Sequence, residues 1–160
     1  MNLFPAVFKE LENKTIEITF GSFPEFTAIA KSKEACYGIA VSNLKSLIIT
    51  KMKNGEHIPQ PFLRKDYENY ISLDAMFSIK VCIHNALLER KISVEDFANT
   101  IGYDAASVKN WLDPITTSNP DMLQLMFAAL GYVFRINSQK SKREEIVGVN
   151  EMPVDYLNSN

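Results

Sequence analysis

The stretch at 92–113, ISVEDFANTIGYDAASVKNWLD, sets how the second half of this chain folds. Small Ala98 stands four residues before Gly102, and Val108 and Trp111 follow that glycine at six and nine residues. Phe97 and Ile101 fill the remaining apolar positions. Ala98 lets two helices approach closely, and Gly102 can take a left-handed turn at little cost. Phe97, Ile101, Val108 and Trp111 make the apolar face that closes such a unit. Together these six positions have the spacing of a helix-turn-helix, whose second helix can present its N-terminal residues to a DNA major groove.

The helix ends agree. Ser93 followed by Asp96 reads as a capping box, with Ile92 and Phe97 at the staple positions around it. Asp104 is a candidate N-cap for the second helix, starting at about Ala105. Asn119–Pro120 opens a further helix that Gly131 ends, with Leu123, Met126, Phe127 and Leu130 on one face. Upstream, Asp74 can cap a helix running to about Glu89, with Met76, Ile79, Ile83 and Leu87 on one side. A four-helix module from about Asp74 to Gly131 results, and its apolar residues are core.

The first half reads differently. In TIEITF at 15–20, Ile16, Ile18 and Phe20 alternate with Thr15, Glu17 and Thr19, the pattern of a half-buried strand. Leu3 to Phe8 is its expected hairpin partner, joined through Glu12, Asn13 and Lys14. Gly21 and Pro24 break the chain before a third strand at about Phe26 to Ala30. Ser32 caps a helix to about Lys53, with Cys36, Ala40, Leu44, Leu47 and Ile48 as its stripe and Asn54–Gly55 at its end. A short strand at about Tyr70 to Leu73 leads into the helical module. The expected fold class is α+β: a small antiparallel sheet with one helix, then an all-α unit. The corresponding division is 1–56, a linker at 57–70 with Pro59 and Pro61, helical residues 71–137, and a polar tail at 138–160.

At 160 residues and 46% hydrophobic content the chain can bury a real core. It holds no apolar run of about 18 residues, so no membrane span is expected. The opening MNLFPAVFKE lacks the layout of a signal peptide. Cys36 and Cys82, each within an expected helix, read as buried free thiols in a reducing cytoplasm, and no Cys/His spacing suggests a metal or other cofactor. Net charge is -2, but its distribution matters more. Between residues 92 and 131 Lys109 is the single basic residue, against Glu95, Asp96, Asp104, Asp113 and Asp121. DNA-binding modules usually carry the opposite balance, because phosphate contacts supply much of the affinity. Lys80, Arg90, Lys91 and Arg135 are candidates for backbone contacts.

Enzyme chemistry is not expected. Glu10, Glu12, Glu17 and Glu25 are the carboxylates of the sheet region, and they form no converging set of the kind a two-metal site needs. His57 and His84 read as structural, and no Ser or Cys carries a nucleophile motif. For DNA, the front of the second helix offers Ala105, Ala106, Ser107, Lys109 and Asn110. Asn110 suits an adenine edge, Lys109 a guanine or phosphate, and Ser107 either. Thr116, Thr117 and Ser118 can donate to phosphates. Asp104 reads as a cap and Trp111 as core.

The order of parts resembles the HicB family of antitoxins, in the subgroup with a C-terminal helix-turn-helix. The resembling residues are Phe4–Pro5–Ala6, FGSFP at 20–24, GEHIPQP at 55–61, IKVCIHNALLERKIS at 79–93 and LDPITTSNPDMLQLMFAALGY at 112–132. The resemblance implies a truncated ribonuclease H-like front half that occludes a HicA-like mRNA-cleaving toxin. It also implies a back half that dimerises, or forms a higher even-numbered oligomer, and binds operator DNA. Two departures stand out. The segment FPEFTAIAKSKEA at 23–35 is shorter than the family's, and DAASVKNWLD at 104–113 lacks the arginines common in relatives. Two other readings stay open: an orphan or phage-derived regulator without a toxin, and a dimerisation module whose helix-turn-helix is degenerate.

Overall fold

The computed structural model describes residues 3–62, 67 and 69–132. Among these the fold is α+β, with one four-stranded antiparallel sheet and five helices. Strands β1 (Leu3–Glu10), β2 (Ile16–Phe20) and β3 (Phe23–Ala30) are followed by helix α1 (Lys33–Lys53). Strand β4 (Asn69–Ser72) then precedes α2 (Ala75–Arg90), α3 (Val94–Ile101), α4 (Ala105–Leu112) and α5 (Pro120–Ala129). The sheet order is β3-β2-β1-β4.

Alternation puts Ile16, Ile18 and Phe20 inward, and the register aligns Phe8 with Ile18 and Ile18 with Ala28. Helix α1 covers that face with Cys36, Ala40, Leu44, Ile48 and Met52, a stripe stepping every four residues. The opposite face carries Val7, paired with Thr19, and Ile29, paired with Glu17. Val7 and Ile29 are 45% and 52% exposed.

One local expectation needs correction, and two gain detail. The third strand starts at Phe23, not Phe26, because Phe23 is fully buried and Gly21–Ser22 alone make the turn. Pro24 therefore sits inside a strand, which an edge strand tolerates. A Cβ on Gly21 would lie 2.7 Å from the Tyr67 hydroxyl, so any larger residue there would have to displace that side chain. The short strand before the helices belongs to the sheet, with Phe4 opposite Ile71, so residues 69–72 complete the first unit as well as leading into the second. The 57–70 stretch, read as a linker from its prolines, is held at its start. Ile58 is fully buried, and both its backbone groups bond to the Asn85 side chain at 2.9 and 2.8 Å. His84 reaches the Glu56 carbonyl at 2.8 Å beside it. The tail at 138–160 and Arg135 lie outside the described residues.

Helix α2 serves two cores. Phe77 and Val81 join the sheet core, while Ile79, Ile83, Ala86 and Leu87 pack with Phe97, Ala98, Val108, Leu123, Met126 and Leu130. Cys36 is buried and Cys82 only half-buried; both are free thiols, and burial pushes each up in pKa. Among the described residues no helix is long and apolar enough to cross a membrane.

Candidate nucleic-acid interface

Helices α3 and α4 are joined through a three-residue turn. Gly102 takes φ 76°, and the Tyr103 amide closes back on the Ala98 carbonyl at 3.0 Å. Such a left-handed step ends a helix and swings the chain into the next one. Ala98 is fully buried beside it, and Phe97 and Val108 anchor the two helices in the core. Trp111 is half-buried and meets Tyr103 edge-on at 5.3 Å.

Each helix start is capped. The Ser93 hydroxyl accepts from the Asp96 amide at 3.0 Å and donates to the Asp96 carboxylate at 2.7 Å. Asp96 thus bonds the cap's side chain, where a full capping box would reach its backbone amide. Asp104 accepts from the Ser107 amide at 2.8 Å. The Ser107 hydroxyl, then that amide, hold the Asp104 carboxyl below its ordinary range. Asp104 is a cap. At α5, Asn119 accepts from the Asp121 amide at 2.8 Å.

The expected contact residues fall into two groups. Ala106, Lys109 and Asn110 are exposed on α4, and Thr117 is exposed beyond it. Ala105 is half-buried against the core, and Ser107 is half-buried. Thr116 and Ser118 point inward. The Thr116 hydroxyl donates to the Asn110 carbonyl at 2.6 Å, and the Ser118 hydroxyl to the Trp111 carbonyl at 2.6 Å. They satisfy the orphan carbonyls of a short helix, so their protons are committed within the chain. Lys109 is not free either: its ammonium pairs with Glu95 of α3. That bond holds the Glu95 carboxyl below its usual range.

Two of the cations expected to serve phosphates do structural work. Lys80 is buried and donates to the Asp113 and Thr116 carbonyls at 2.6 and 2.7 Å. Desolvation lowers its pKa, opposed by the nearby Asp113 charge. Arg90 donates to the Leu130 carbonyl at 2.6 Å and lies over the Tyr132 ring. Lys91 remains exposed at the end of α2. Sequence reasoning missed Lys80 and Asn85 as the residues that tie α2 to its neighbours. A lysine and an asparagine beside an otherwise apolar helical stripe were the available signal.

Among the described residues no group of three or more His, Cys, Asp and Glu side chains is placed to hold a metal ion. Compared with known proteins, the chain matches no family model and no curated protein significantly.

Proposed function

We propose that this protein is an antitoxin of the HicB type, which occludes a small HicA-like mRNA-cleaving toxin through its sheet unit and represses its own operon through a helix-turn-helix. The observation that carries the DNA half is the α3–α4 pair. A left-handed Gly102 turn and buried Phe97, Ala98 and Val108 hold α4 so that Ala106, Lys109 and Asn110 face solvent. A side-chain amide there suits an adenine edge, and an ammonium suits guanine or phosphate. Support for the toxin half comes from the resembling segments and from the sheet, whose outer face α1 leaves uncovered at Val7 and Ile29. Occlusion needs no catalytic group, and the chain acts without enzyme chemistry or cofactor.

A single reading unit with one basic residue on its second helix binds weakly. Operator affinity then comes from two copies paired about a two-fold axis, which place their reading helices about one DNA turn, or a multiple of it, apart. The acidic balance of residues 92–131 favours a second reading, in which the helical unit only dimerises.

The test has two arms. The double variant Lys109→Ala, Asn110→Ala is expected to lose binding to the DNA upstream of its own gene, measured by gel shift at low salt. It is expected to keep its protection of cells against the product of an adjacent small reading frame, with which the wild-type chain should copurify. Loss of both activities in a folded double variant refutes the division of labour. Absence of any shift by the wild type favours the dimerisation reading.

A further inference from the structure

We infer that Glu95 is a built-in competitor of the DNA backbone: it holds the one basic side chain of α4, and DNA binds by exchanging that carboxylate for a phosphate. The inference deepens the DNA-binding reading proposed above and rests on it.

Helix α4 carries a single basic residue, Lys109. Its ammonium lies 2.5 Å from a Glu95 carboxylate oxygen, and the two side chains are 57% and 54% exposed. Glu95 stands in the first turn of α3, so the contact bridges the two helices of the candidate reading unit. Exposed pairs of this kind are weak and open readily. A DNA phosphate offers the ammonium the same kind of oxygen, so exchange is feasible.

The exchange is not neutral. Once Lys109 turns to DNA, the Glu95 carboxylate is left unpaired close to a polyanion. It then repels the DNA or recruits a cation. Where a cation is recruited, its uptake at Glu95 offsets the one that Lys109 releases from the DNA. The same lysine beside an uncharged neighbour would give higher affinity and a steeper salt dependence. Asp96 and Asp104 each give one carboxylate oxygen to a helix-cap hydrogen bond, from the Ser93 hydroxyl and the Ser107 amide, whereas Glu95 is the carboxylate that pairs with Lys109. The arrangement makes α4 a weak phosphate binder. Discrimination is left to groups such as Asn110 that read base edges.

The full-length chain, Glu95→Gln, Lys109→Met and the double variant are titrated by fluorescence anisotropy over a range of salt. The probes are a duplex of the DNA upstream of the chain's own gene and a shuffled duplex of equal composition. Glu95→Gln is expected to bind both duplexes tighter at low salt, by roughly two- to five-fold. Its plot of log affinity against log salt should be steeper by about one. Lys109→Met is expected to bind more weakly, and in that background Glu95→Gln should have little effect. Binding by Glu95→Gln where the wild type shows none also supports the exchange.

Three results would overturn it while leaving DNA binding intact. One is a Glu95→Gln affinity and slope equal to wild type. Another is weaker binding, which would make Glu95 a support for Lys109. The third is a gain that persists undiminished in Lys109→Met, which would reduce Glu95 to a distant charge. If no variant binds either duplex at low salt, the DNA-binding reading fails and the exchange falls with it.

Discussion

Lys91 closes α2 at φ 54°, in a left-handed position that glycine takes freely and other residues take under strain. Gly102 does the same for α3 at φ 76°, and nothing lies within 4 Å of where its Cβ would be. The two positions therefore isolate backbone strain from crowding. Lys91→Gly is expected to stabilise the fold by about 0.5–1 kcal/mol, and Gly102→Ala to destabilise it by about 1 kcal/mol. Urea unfolding measures both. Two changes of the same sign would show that something besides φ governs these caps. The glycine was plain from spacing alone. The lysine was not, because nothing in its local sequence marks a left-handed residue.

At the scale of the element, α4 has eight residues, too short to persist without external support. Asp104 caps its start, and Lys80, Thr116 and Ser118 satisfy carbonyls at or just beyond its end. Asp104 titrates lower in the fold than in an unfolded chain. Its contribution is thus fully present above the ordinary carboxylate pKa and is lost as pH falls through the depressed folded value. Asp104→Asn keeps a capping oxygen without the charge. The stability gap between wild type and Asp104→Asn is expected to close as pH drops below about 4. Urea midpoints taken at successive pH values follow that gap. A gap unchanged by acid would mean that the charge contributes nothing beyond the hydrogen bond.

Over the whole molecule the decisive contact is between Asn85 and Ile58. Both backbone groups of a fully buried residue depend on one side chain. Asn85→Ala leaves them unsatisfied, at an expected cost on the order of 2–4 kcal/mol. Because α2 packs into both cores, the loss should reach the sheet and the helices together. Trp111, the single tryptophan, reports the helical half by fluorescence, and amide exchange in β2 reports the sheet. Equal losses at both probes are expected. Destabilisation confined to the sheet would show that the two units unfold separately.

Most of the elements were legible in the residues. Ser32, Asp74, Ser93, Asp104 and Asn119 each accept from an amide two or three residues on, so the signal for a helix start is complete within a few positions. The apolar stripes of α1 and α5 and the alternation in β2 are equally local. Packing alone chose the partners of long polar side chains and of the last strand. Lys80 finds carbonyls 33 and 36 positions away, and Arg90 one that is 40 away. Asn85 finds Ile58 across 27, and β4 pairs with β1 from the far end of the sheet unit. Turns and caps follow from short-range sterics and hydrogen bonds. Where a flexible cation or an edge strand settles depends on which buried groups the assembled core leaves unsatisfied.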